Sequence, residues 1–150
     1  MFVNSDFSEL LSLFNDNDVR YLVVGGYAFV QYAEPRYTKD LDLWIRTDPK
    51  NAAAVFNSLK VFGAPLMDLD ETDFADEGYF YQMGFSPSRV DILMGIPGIG
   101  FEEAWSRKME VDFDGLLVPF ISKKDLIVAK LASGRAQDLM DAEILLQNDS

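Results

Sequence analysis

The sequence predicts an α+β fold with a mixed sheet, on three observations. Runs with the period of a helix alternate with short, apolar, strand-like runs. These runs are joined by short connections marked by Gly and Pro, the pattern of a mixed domain of helices and strands. Finally, 49% of the 150 residues are hydrophobic, with 12 Phe, enough for a real core at the usual size of one domain. No internal repeat, low-complexity tract or linker divides residues 1–150, so one domain is expected.

The elements follow in order. "SDFSELLSLFNDN" places Phe7, Leu10, Leu11 and Phe14 at helical spacing behind a Ser5 or Asp6 cap. "VRYLVVGG" reads as a buried strand stopped by glycines. "YAFVQYAE" reads as a helix ending before Pro35, because the residue before a proline avoids helical backbone. "LDLWI" is the next strand. "DPKNAAAVFNSLKVFG" is a helix with Asp48 as cap, Pro49 in its first turn and Gly63 just past its end. The acid-rich "DLDETDFADE" from Asp68 to Glu77 reads as a solvated loop. "GYFYQMGF" and "SRVDILMG" read as strands, "IPGIG" as a turn and "FEEAWSRK" as a short helix. Asp-Gly within "MEVDFDGLLVPFIS" signals a hairpin. Ser122 and Asp125 form a capping box for "KKDLIVAKLAS", and Gly134 separates that helix from "AQDLMDAEILL".

Composition narrows the chemistry. With no Cys and no His, disulfides, thiolate nucleophiles, imidazole bases and the usual zinc sites are excluded. Any metal would be held by oxygen, which favours Mg²⁺, Mn²⁺ or Ca²⁺. The formal charge of −12 disfavours broad adhesion to nucleic acid, although Arg36, Lys39, Arg46 and Lys50 cluster locally. No apolar run has the length of a membrane span, and Met-Phe-Val-Asn-Ser-Asp lacks the pattern of a signal peptide; a cytoplasmic protein with no membrane partner is expected.

Asp40 and Asp42 flank Leu41, so on a strand both carboxylates share one face while Leu41 and Leu43 share the other. Asp91 sits in a second apolar strand. A buried, unpaired carboxylate is costly, so each needs compensation. Asp40 could pair with Lys39, Arg36 or a backbone amide, and Asp91 with Arg89. Three crowded acids would raise one another's pKa unless a cation intervenes, and a divalent metal answers all three at once. Gly25 and Gly26 join a strand to a helix, where converging amides let a phosphate approach; a tight turn with close packing explains them equally well. The stretch from Gly26 to Asp40 holds one helix and a turn, which lets the acid-bearing strand return beside the strand that ends at Gly25.

Gly25-Gly26, a helix, Asp40-Leu41-Asp42-Leu43 and then Asp91 resemble the signature of the polymerase β-like nucleotidyltransferase superfamily. The resemblance implies that the glycine turn contacts nucleotide phosphates and that Asp40, Asp42 and Asp91 are catalytic and hold Mg²⁺ (or Mn²⁺). "KKDLIVAKLASGRAQDLMDAEIL" is similar to the closing helices of AbiEii-like toxin nucleotidyltransferases, which makes Lys130, Arg135, Asp138 and Asp141 candidates for the nucleotide side. Arg135 also reads as a helix-surface pair with Asp138, and Asp138 and Asp141 as surface acids. Trp44, Tyr32, Tyr37 and the aromatics of "YFYQMGF" read first as core and rim.

The activity implied is transfer of a nucleoside monophosphate from an NTP to a hydroxyl of an RNA end, a protein or a small molecule, with pyrophosphate released. A toxin–antitoxin role, with a cognate partner protein, follows from the same resemblance. Tyr27 follows the glycines where many members of the superfamily carry Ser or Thr. With it goes a second reading: a noncatalytic binding module, or an antitoxin, of the same fold.

Overall fold

A computed structural model describes residues 5–38, 40–84 and 88–147. Lys39 and the Phe85 end of the aromatic run lie outside them, so neither reading made on those residues is taken further. Six strands form one mixed sheet in the order β3-β4-β2-β1-β6-β5: β1 (Tyr21–Val24), β2 (Leu41–Ile45), β3 (Phe80–Met83), β4 (Val90–Leu93), β5 (Met109–Phe113) and β6 (Leu116–Phe120). The helices are α1 (Ser5–Asp16), α2 (Gly25–Tyr32), α3 (Pro49–Phe62), α4 (Phe101–Ser106), α5 (Lys123–Ser133) and α6 (Ala136–Gln147). The α+β class and the mixed sheet are as expected.

Local chemistry explains where these elements start and stop. Phe7, Leu10, Leu11 and Phe14 of α1 are fully buried, the stripe their spacing requires. The Asp48 side chain accepts from the Asn51 amide to cap α3, and Gly63 ends the helix in left-handed backbone at φ 94°. Asp114 and Gly115 both have positive φ, as a two-residue turn matched to strand twist demands, and they join β5 to β6. Asn51, also buried, ties three elements at once: it accepts from the Arg20 amide and donates to the carbonyls of Arg20 and Arg46.

Three local readings are corrected. Helix α2 begins at Gly25 itself and ends at Tyr32, so the glycines form its first turn rather than preceding it. The acidic run is not all loop: Glu71–Ala75 is a 3-10 turn with a reciprocal Asp70/Asp73 capping box, folded that way because Phe74 is drawn fully into the core. Ser122 does accept from the Asp125 amide, but the reciprocal half of that box is missing, because the buried Asp125 carboxylate takes the forked guanidinium of Arg107.

The register positions the site. Strand β2 runs antiparallel to β1, with Val24 opposite Asp42, and parallel to β4, with Asp42 opposite Asp91. Val24 is the last residue of β1, so Gly25 follows immediately at the same sheet edge. Facing residues in register share a sheet face, which puts the Asp42 and Asp91 side chains together. Leu41 and Leu43 point the other way into the core, both fully buried.

Candidate active site

Gly25 has φ 67°, in the left-handed region, and a Cβ there would run into the carboxylate of Asp42. A Cβ on Gly26 would lie 2.9 Å from Cγ2 of Thr38. The two glycines are therefore what allow the returning segment and its acids to close against the start of α2. Tyr27 packs edge-on to Phe7 and Phe113, and burial together with the charge of Asp40 and of Tyr37 raises its hydroxyl above the ordinary tyrosine value.

The three acids are brought together unequally: Asp42 and Asp91 lie on strands, whereas Asp40 sits just before β2 rather than on the strand face expected for it. Asp42 and Asp91 stand side by side, and Asp91 is only 9% exposed. The Arg89 guanidinium lies across the other pairing, 3.0 Å from Asp40 Oδ2 and 3.1 Å from Asp91 Oδ1. The expected Asp91–Arg89 pair is thus present, whereas Asp40 takes Arg89 in place of Arg36. Asp42 is left short of positive charge. Burial, then the charge of Asp91, a hydrogen bond shared with Asp91 and the charge of Asp40 push its carboxyl from 3.8 up to about 7, with Arg89 pulling only weakly the other way.

This shift makes the stability of the fold depend on pH. Between pH 4 and pH 7 the folded protein holds a proton on Asp42 that the unfolded chain has lost, so stability falls as pH rises through that window. Asp42→Asn should flatten the fall and gain on the order of 2 kcal/mol over the parent at pH 8. Urea midpoints at pH 5 and pH 8 measure it; equal pH slopes for parent and variant would refute it.

Across from the acid edge lie α5 and α6. A cleft of about 280 Å³ opens between Gly25 and Asp42 on one side and Lys130, Ser133, Arg135 and Asp138 on the other, with Leu93, Ile96 and Leu126 in its walls. The glycine turn, one strand acid and three of the C-terminal candidates thus share one hollow. Arg135 pairs with Asp138 at 2.9 Å while its own side chain stays 80% exposed at the rim.

Asp138 and Asp141 are not the surface acids that their helix suggested. Asp141 is 2% exposed and accepts both arms of Arg36, at 2.8 and 3.0 Å, together with Lys130 and Gln137. Burial alone would raise its carboxyl; hydrogen bonds from Arg36, Lys130 and Gln137 and the charge of Lys130 hold it below the ordinary range. Asp138 accepts from Lys130, Ser133 and Arg135, and is likewise held low against its burial. Arg36 also stacks 3.9 Å above the Phe29 ring of α2. Arg36, Arg89, Ser133 and Gln137 were absent from the predicted site. Arg36 was visible only as a base close to the acids, and its partner 105 residues away left no local signal.

The resemblance implies a divalent cation, and the donor chemistry fits one. Asp40, Asp42 and Asp91 offer hard carboxylate oxygen, and among the described residues Asp42 is the one of the three without a salt bridge. Among the described residues, however, no three acidic side chains are gathered as a ready-made cage, because Arg89 draws Asp40 toward itself.

The fold is that of the polymerase β-like nucleotidyltransferase superfamily, and solved structures of nucleotidyltransferases share the fold. The lincosamide antibiotic adenylyltransferase LnuA, solved with lincomycin bound, is 16% identical, with a TM-score of 0.59 and 98% of each chain covered. A candidate nucleotidyltransferase from Thermotoga maritima is 15% identical, with a TM-score of 0.63, covering 95% of this chain and 91% of its own. ANT(2″)-Ia, solved with adenylyl-2″-tobramycin, is 13% identical, with a TM-score of 0.60, covering 94% of this chain and 86% of its own. The chain itself belongs to the family described as nucleotidyltransferase of unknown function (DUF6036), whose model matches residues 3–147. No curated protein matches it.

Proposed function

We propose that this protein transfers a nucleoside monophosphate from an NTP to a hydroxyl acceptor with the help of Mg²⁺ or Mn²⁺. The single observation that carries this is the Asp42–Asp91 pair in register beside the Gly25 turn, at a sheet edge that opens on a cleft. Asp42 and Asp91 would hold the metal, with Asp40 available once Arg89 lets it go. When bound, such a cation neutralises phosphate charge and lowers the pKa of an attacking hydroxyl. Asp91, the acid on the far side from the glycine turn, accepts the acceptor proton. The new bond joins the acceptor oxygen to the α-phosphorus as the bond to pyrophosphate breaks, and positioning with charge neutralisation supplies most of the rate.

On the nucleotide side, amides at the start of α2 face phosphate. Arg135, paired with Asp138 but 80% exposed at the rim, would swing to the triphosphate. Lys130 is committed to Asp138 and Asp141, so its part is to shape the cleft and its potential. The apolar walls suit a nucleoside or a small organic acceptor. The ligands held by LnuA and ANT(2″)-Ia support a small-molecule acceptor; the likeness to AbiEii-like toxins supports an RNA or protein acceptor and a cognate partner. Among the described residues no helix is long and apolar enough to cross a membrane, which accords with action on cytoplasmic NTPs.

One observation favours the second reading, a noncatalytic module or antitoxin: Arg89 already satisfies Asp40 and Asp91. The test is incubation with each α-³²P-labelled NTP and Mg²⁺ or Mn²⁺ against RNA, cell-lysate protein, lincosamides and aminoglycosides. Label should appear on one acceptor class with release of pyrophosphate. NTP binding without transfer to any of them would favour the binding module.

A further inference from the structure

Arg89 is the one cation seen on the acid edge among the described residues, and its fork is divided. Nη2 lies 3.0 Å from Asp40 Oδ2 and 3.2 Å from Asp91 Oδ2, and Nε lies 3.1 Å from Asp91 Oδ1. Its backbone is fixed: the Leu41 amide donates to the Arg89 carbonyl at 3.0 Å, beside the Leu41–Val90 rung of the β2–β4 pairing. Its side chain is 37% exposed, so solvent lies beside the guanidinium. The anchor is rigid and the charged head has a way out.

We propose that Arg89 is a resident counter-cation: it holds Asp40 and Asp91 at the sheet edge in the metal-free protein and gives up those carboxylates to a divalent ion. The proposal rests on reading these acids as a metal site. Three carboxylates meeting without a cation repel one another, and a monovalent fork on two of them relieves that at small cost because the pair is partly solvated. A divalent ion on the same oxygens places positive charge against the guanidinium, so the two cations compete. Arg89 is therefore a positioning residue with two opposed effects, keeping the acid edge in order and weakening its affinity for free metal. Both effects can be read without turnover.

The experiment titrates Mn²⁺ alone into the parent, Arg89→Gln and Arg89→Lys, followed by calorimetry and by the loss of the free-ion spin-resonance signal. Melting is measured with and without Mn²⁺. Removing one positive charge at this range should tighten Mn²⁺ binding by about fivefold or more in R89Q. R89Q should also melt below the parent without metal and gain more from Mn²⁺ than the parent does. R89K, which keeps the charge but loses the planar fork, should fall between the two, and it carries the test if R89Q does not fold. If the parent binds Mn²⁺ and neither variant binds it more tightly, the counter-cation role is overturned while the metal site stands. If no form binds Mn²⁺, alone or with an NTP analogue, the metal reading itself fails and the inference with it.

Discussion

Asp42→Ala should lower nucleotidyl transfer by on the order of 10³-fold, the scale of losing a group that stabilises developing charge in a closed site. The expectation follows from the carboxylate's place. Asp42 borders Gly25, faces Asp91 in register and lines the cleft, and among the described residues it makes no salt bridge of its own. Asp42→Asn, close to the same shape, should lose activity to a similar degree and yet melt no lower than the parent at pH 8, because a buried charge is removed. Transfer assays with labelled NTP, run beside thermal melts, separate the two readouts. Activity within tenfold of the parent in both variants would place the chemistry elsewhere.

Asp141→Ala should cost about 3–5 kcal/mol of stability, the range for removing one partner from a buried charge network. Here Arg36 loses the acceptor of both its arms, and Lys130, 8% exposed, is left with Asp138 as its acidic partner. Urea unfolding measures the cost, and a loss under about 1 kcal/mol would mean that Asp138 and water replace Asp141 fully. The double variant Arg36→Met, Asp141→Ala should cost less than the sum of its parts, because the partner left behind is gone.

What was legible in the sequence was local or set by register. The caps of α3, the Asp114-Gly115 turn and the stripe of α1 are each decided within a few residues, and each is found as expected. Gly25, Asp42 and Asp91 also came together because a strand's period of two fixes which face a residue takes once strand neighbours are known. Contacts that depend on how distant elements dock escaped. Asp40 reached Arg89, just before the parallel neighbour strand, rather than a residue in its own segment. Asp141 looked like a solvated helix acid, since acids on amphipathic helices usually are; the packing of α6 against α5 and α2 makes it an interior anchor. The 3-10 turn in the acidic run was hidden by its charges, although Phe74 was a single apolar signal within it.

The Arg36–Asp141 bridge also has a consequence for the order in which the molecule is made. On the ribosome, Asp40, Asp42 and Asp91 emerge long before Asp141, which lies 105 residues after Arg36. Through most of synthesis Arg36 has no Asp141 to fasten it, and the central strand β1 still lacks β6 as a neighbour. Assembly is therefore late and non-local, the kind of closure that slows folding. A proteolytic cut between β6 and α5 that released the last two helices would leave every strand acid in place and still undo the fastening of Arg36. The acids belong to the sheet, but their setting belongs to the last helix pair.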